Sequence, residues 1–67
     1  MDKPLGLSKL TQDDRNFAVV QLAAWPSETS VKNLFALYHK YVALQPSNMK
    51  CSDCRRTIRS FWTNYLR

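Results

Sequence analysis

The chain has 67 residues, of which 45% are hydrophobic, and it carries a formal net charge of +5. This length excludes more than one domain and allows only a small core, while the hydrophobic content excludes a disordered chain. One glycine and three prolines are too few turn residues for an all-β fold.

The first predicted element is a tail over residues 1–10, in which Pro4 and Gly6 interrupt regular structure. A helix is predicted next, with Thr11 as its N-cap and an end near Trp25. Pro26 ends this helix because the residue before a proline is pushed out of the helical region. From Phe17 to Trp25 the sequence is apolar on all sides except at Gln21.

The second predicted helix runs from about Thr29 to Leu44, and its apolar residues cover about half of its circumference. A polar break around Pro46 follows. The third helix is predicted to begin between Ser47 and Ser52 and to run almost to the C-terminus. The prediction is therefore an all-α fold, a compact three-helix bundle over residues 11–67 behind the short tail.

The first two helices carry more apolar surface than so small a body is expected to bury. Aromatic and large apolar side chains that stay exposed are typical of protein interfaces. The residues expected to contact a partner are Phe17, Val20, Trp25, Leu37, Tyr41 and Leu44. The alternative is that the leucines of the tail, Leu5, Leu7 and Leu10, cover the excess.

The positive charge is concentrated in the second half of the chain. Residues 31–67 contain seven lysines and arginines and a single acidic residue, Asp53. Such asymmetry indicates an acidic partner, either a nucleic acid or an acidic protein surface. The residues expected to contact this partner are on the last helix: Arg55, Arg56, Arg59 and Arg67. A basic last helix in a three-helix domain is also the plan of helix-turn-helix proteins. The break before this helix is, however, longer than the turn that is usual in those proteins.

Cys51 and Cys54 form a Cys-x-x-Cys pair, which allows three interpretations. The leading one is that both are free thiols on the core side of the third helix, where cysteine behaves as a small hydrophobic residue. A zinc site would need more ligands than this pair and His39 supply, and hence a second subunit. A redox role is the third interpretation, because a cysteine near a helix N-terminus can have a lowered pKa.

No pattern in the sequence points to an enzyme. His39 has no acidic or nucleophilic residue near it in sequence and is expected to be a partly exposed surface residue on a flank of the second helix. Asp13 and Asp14 point about 100° apart on a helix, so helix capping explains them better than paired catalysis. We therefore expect a non-enzymatic protein with no cofactor, no resident metal and no small-molecule substrate.

Residues 30–67 resemble small proteins of tailed bacteriophages. The resemblance rests on Leu34-Phe35-Ala36-Leu37-Tyr38 near the end of a helix, then a polar loop, then Cys51-Ser52-Asp53-Cys54-Arg55 opening a basic terminal helix. It implies an accessory or virion component and carries no established activity or functional residue. Helix 1 lies outside it.

The leading functional hypothesis is a protein-interaction module that docks on a larger protein assembly, such as a phage particle, or on a second copy of itself. The alternative is a small DNA- or RNA-binding protein that uses the arginine face of the last helix. No signal peptide and no membrane span are evident. The expected location is therefore the cytoplasm of a host cell or the virion.

Overall fold

The computed structural model describes residues 4–67, which form three α-helices in the order predicted. A single 3-10 turn at Leu7–Lys9 precedes them. Helix α1 spans Gln12–Ala23, α2 spans Glu28–Tyr41 and α3 spans Ser52–Tyr65. Each helix contacts the other two, and residues 4–67 contain no strand. The all-α three-helix bundle is confirmed.

The starts of the first two helices follow from capping residues. The Thr11 side chain accepts a hydrogen bond from the Asp14 amide at 3.0 Å, and Ser27 accepts one from the Ser30 amide at 3.2 Å. These bonds satisfy N–H groups that have no partner inside the helix. The Thr11 cap is confirmed, whereas α2 begins slightly before the expected Thr29 and ends before Leu44.

The core lies where the three helices meet. It consists of eight buried apolar residues, most of them on α2: Ala18, Val31, Leu34, Phe35, Leu37, Tyr41, Ile58 and Trp62. The Trp62 indole N–H donates to the Leu34 carbonyl at 3.3 Å, so its polar atom is satisfied within the core. A radius of gyration of 11.0 Å agrees with about 11 Å for a folded chain of this length.

The described part of the tail packs on the bundle. Leu7 and Leu10 lie against the core, and the Leu5 amide donates to the Lys40 carbonyl in the last turn of α2 at 2.9 Å. Gly6 has a φ of 91°, which an L-residue with a side chain rarely adopts, so only glycine turns the chain here without strain. Residues 1–3 of the predicted tail lie outside the described residues.

Candidate nucleic-acid interface

The solvent-facing side of α3 carries the arginines. One turn of a helix takes 3.6 residues, so Ser52, Arg56 and Thr63 face away from Ile58, whose side chain is fully buried. Arg59 lies on the flank of this face, about 100° from Ile58. Arg56, Arg59 and Arg67 are exposed and Arg55 is half-buried. The register that places Ile58 and Trp62 in the core therefore sets the direction of the basic face.

This face forms one wall of an open groove of about 540 Å³. Trp25, which belongs to the turn after α1 and packs partly against the core, also lines the groove. Among the described residues, no aspartate or glutamate lines the groove. Its complete lining is Trp25, Ser52, Arg55, Arg56, Arg59, Ser60, Thr63, Asn64 and Arg67.

The groove therefore brings together all four arginines that the sequence analysis selected. The groove also includes Trp25, which the sequence places among the apolar residues expected to contact a protein partner. The sequence gives no sign of this placement, because Trp25 and Arg59 belong to different helical segments. Trp25 was expected to share one contact surface with Phe17, Val20, Leu37, Tyr41 and Leu44. This expectation is wrong, because Trp25 lines the groove and none of those five residues does.

The arginines of the groove are not neutralised by carboxylates. The one ion pair within residues 4–67 joins Lys40 Nζ and Asp14 Oδ2 at 3.7 Å, and it lies outside the groove. Arg55 donates from Nε to the Met49 carbonyl, which fixes it against the loop before α3. Arg56, Arg59 and Arg67 therefore keep their charge available for an external anion.

A second surface feature is the outer side of α1. Its first half carries Gln12, Asp13 and Asn16, whereas its second half presents only exposed apolar side chains. Phe17 is 41% exposed and Val20 is 60% exposed. We call this set the α1 apolar face; it comprises Phe17, Val19, Val20, Ala23 and Ala24.

The expected exposure of Leu37 and Tyr41 is wrong. Leu37 is 6% exposed and Tyr41 is 2% exposed, because α2 packs between the other two helices and the tail. The Tyr41 hydroxyl donates to the Asp14 carboxylate. Leu44 is exposed as expected, but it follows α2 in the loop and does not join the α1 apolar face.

The two cysteines occupy different environments. Cys54 packs against the core as expected, but Cys51 is the N-cap of α3 and lies before the helix, so its predicted place on the core stripe is wrong. Both are half-buried free thiols. Within residues 4–67 there is no group of three or more histidine, cysteine or acidic side chains suited to a metal ion.

The Cys51 side chain turns back over the first turn of α3. Its Sγ accepts a hydrogen bond from the Cys54 amide at 3.4 Å. Hydrogen bonding from the Cys54 thiol, followed by that from the Cys54 amide, lowers the pKa of Cys51 below its ordinary value. The same contact between the thiols, together with desolvation, raises the pKa of Cys54.

His39 and Asp14 have structural contacts that the sequence did not reveal. His39 is half-buried, in agreement with the expected partly exposed surface residue, and its Nε2 lies 2.7 Å from the Pro46 carbonyl. Asp14 accepts from Tyr41, which raises the pKa of the Tyr41 phenol because the charged carboxylate favours the protonated donor. The Asp14 contact joins α1 to α2, and the His39 contact joins α2 to the loop that follows it.

Comparison of the chain with protein-family models, with curated proteins and with solved structures finds no match. The resemblance to proteins of tailed bacteriophages therefore stays a prediction. Within residues 4–67, none of the helices has the length and apolar character that crossing a membrane requires.

Proposed function

We propose that this chain is a non-enzymatic binding module whose basic groove takes a nucleic acid. The observation that carries the proposal is one concave surface that combines four arginines with a tryptophan and contains, within residues 4–67, no aspartate or glutamate. The sequence alone favours protein docking over nucleic-acid binding, and the structure leads us to reverse that preference. The change follows from the burial of Leu37 and Tyr41, which removes two of the six expected docking residues.

The arginines supply the electrostatic part of this function. Phosphate contacts from Arg and Lys provide most of the sequence-independent affinity of nucleic-acid-binding proteins. Arg56, Arg59 and Arg67 are exposed along one side of α3 and have no carboxylate partner within residues 4–67. All three line the groove, so a backbone laid in it can contact more than one of them.

The remaining lining residues favour a nucleic acid over an acidic protein. Trp25 offers an aromatic surface on which a base can stack, and an asparagine such as Asn64 can form paired hydrogen bonds with adenine. Thr63 and Ser60 add hydroxyl donors beside the arginines. A single nucleotide can use all three groups at once, with its phosphate on an arginine and its base on the indole or the amide.

The test is a titration of a fluorescently labelled single-stranded oligonucleotide, followed by anisotropy at increasing salt concentrations. Arg59→Ala should weaken binding and reduce the magnitude of the salt slope by about one. Lys32→Ala is the matched control, since it removes the same charge from an exposed position on α2 outside the groove. Polyglutamate serves as a competitor that carries charge without bases.

Equal losses of affinity for Arg59→Ala and Lys32→Ala would contradict a specific groove, because net charge alone would then explain binding. Competition by polyglutamate as strong as that by unlabelled oligonucleotide would favour the acidic-protein interpretation. Absence of oligonucleotide binding even at low salt would contradict the proposed nucleic-acid function.

A second candidate function, protein docking, has support from the α1 apolar face. Contiguous exposed apolar residues on a soluble monomer are typical of interaction sites. This outer side of α1 contains no lysine or arginine and only Asp13 as a charge. A second copy of the chain could therefore pack against it without the repulsion that its other basic surfaces would cause.

Sedimentation of the purified chain after nuclease treatment tests this candidate. Self-association that Val20→Asp abolishes and Asn16→Asp preserves would support docking through the α1 apolar face, because both changes add one charge to the same side of the helix. A chain that stays monomeric at high concentration would contradict self-docking.

A further inference from the structure

The start of α3 holds a pair of thiols that the proposed nucleic-acid function does not use. Cys51 lies just before the helix with an extended backbone, φ −79° and ψ 122°, and Cys54 lies in the first turn. The Cys51 sulfur points toward Cys54, since it accepts the hydrogen bond from the Cys54 amide at 3.4 Å. The Cys54 thiol also hydrogen-bonds to Cys51, so the two sulfurs lie near each other while Cys54 keeps its contact with the core.

This geometry is close to what a disulfide requires. Side chains three residues apart on a helix have Cβ atoms about 5–6 Å apart, and a disulfide needs about 3.5–4.5 Å. Cys51 precedes the helix, so a change of its side-chain torsion and a small backbone adjustment can shorten the distance while α3 stays formed. Both thiols are partly exposed and reachable from solvent.

The surroundings make the two thiols unequal. Cys51 receives hydrogen bonds that stabilise its thiolate, and these lower its pKa, whereas the neighbouring thiolate and burial raise the pKa of Cys54. Thiolates are the nucleophiles in thiol–disulfide exchange. Cys51 is thus the attacking thiol and Cys54 the one that reacts second.

We propose that Cys51 and Cys54 form a reversible intramolecular disulfide by exchange with a low-molecular-weight disulfide of the glutathione type. The Cys51 thiolate attacks one sulfur of glutathione disulfide, its S–S bond breaks, and one glutathione thiolate leaves. Cys54 then loses its proton to solvent and attacks the Cys51 sulfur, which releases the second glutathione. The protein gains one disulfide, and the small disulfide is reduced to two thiols.

The test exposes the whole chain to buffers with graded ratios of oxidised to reduced glutathione, followed by acid quenching, alkylation and intact-mass measurement. The expected product is a chain that has lost two hydrogens and cannot be alkylated, with little glutathione adduct at any ratio. Reduced glutathione in excess should restore both thiols.

Two single variants assign the roles. Cys54→Ser should accumulate a glutathione adduct on Cys51, because the second attack is lost. Cys51→Ser should react severalfold more slowly than Cys54→Ser at neutral pH, because desolvation still raises the pKa of Cys54 when Cys51 is absent, whereas the amide of residue 54 still stabilises the Cys51 thiolate. Serine is a favourable N-cap, so Cys51→Ser should keep its helix content, which circular dichroism checks.

Three results would overturn the proposal. The first is a wild-type chain that stops at the glutathione adduct, and the second is a pair that stays reduced at every ratio while the chain is folded. The third is an equal reaction rate for the two variants. None of these results depends on nucleic-acid binding, so this proposal and the proposed function can fail separately.

Discussion

Helices α1 and α2 have similarly apolar sequences, yet the fold treats them differently. Helix α2 buries Val31, Leu34, Phe35, Leu37 and Tyr41, whereas the second half of α1 leaves Phe17, Val19 and Val20 exposed. The cause is the way the helices pack: α2 contacts both other helices and the tail, whereas α1 buries only Ala18 and Gln21 against its neighbours. The width of an apolar arc therefore does not by itself decide which helix a small bundle encloses.

Truncation of one phenylalanine on each helix gives the largest expected effect. Phe35→Ala on α2 should lower the free energy of unfolding by about 3–5 kcal/mol, because it removes a buried ring and leaves a cavity. Phe17→Ala on α1 should change it by about 0.5 kcal/mol or less, as is usual for exposed sites. Urea unfolding followed by circular dichroism measures both, and similar losses would refute the contrast between the helices.

The Tyr41–Asp14 hydrogen bond joins α2 to α1 and gives the next largest effect. Tyr41→Phe should cost about 1–2 kcal/mol at neutral pH, because a buried donor to a carboxylate is lost. The raised pKa of Tyr41 means that the folded state holds the phenolic proton more tightly than the unfolded state. Its contribution is therefore complete below about pH 10, the unfolded value, and declines as pH rises through the folded pKa.

Chemical unfolding at a series of alkaline pH values measures this dependence. Wild-type stability should decline in that range more steeply than that of Tyr41→Phe. Tyr38→Phe is the control on the same helix, since Tyr38 is half-buried and its ring instead contacts Phe61 edge-on. An identical pH dependence for wild type and Tyr41→Phe would contradict the role of this hydrogen bond.

The N-cap of α1 gives a smaller effect. Thr11→Ala should destabilise the chain by about 1 kcal/mol, because the Asp14 amide loses its acceptor. Thr29→Ala, at an exposed position inside the first turn of α2, is the matched control and should have little effect. Thermal unfolding measures both, and a Thr11→Ala variant as stable as Thr29→Ala would show that α1 does not depend on its cap.

The outer side of α3 gives the smallest effect. Arg55 and Arg59 are like charges four residues apart, an arrangement that costs about 0.2–0.5 kcal/mol. Arg59→Gln should therefore raise stability by about that amount at low salt, and the gain should shrink as salt is added. Lys32→Gln should have the opposite sign, because Lys32 follows Glu28 by four residues in the favourable orientation.

The helices could be predicted because residues close to their ends in sequence determine where they begin and end. Thr11 caps α1 and Pro26 follows its end, and a helical period places Ile58 and Trp62 on one side of α3. These features depend on residues within a few positions of one another. The start of α3 was predicted only as a range, because Cys51 acts as a cap although cysteine is not a preferred capping residue.

The candidate site was predictable only in part. The arginine face followed from the same helical period, but the meeting of Trp25 with Arg59 depends on how α1 and α3 pack. The burial of Tyr41 likewise depends on Asp14, which is 27 positions away in the chain. Pairings of this kind are set by the tertiary arrangement of helices, and a single sequence carries no local signal for them.

The two tryptophans give the chain two intrinsic fluorescence signals from different environments. Trp62 has no solvent exposure and is hydrogen-bonded to Leu34, while Trp25 is half-exposed beside the arginines. A soluble quencher should extinguish Trp25 emission in the native state and reach Trp62 only on unfolding. Ligand occupancy and global denaturation can thus be followed as separate signals in one unlabelled sample.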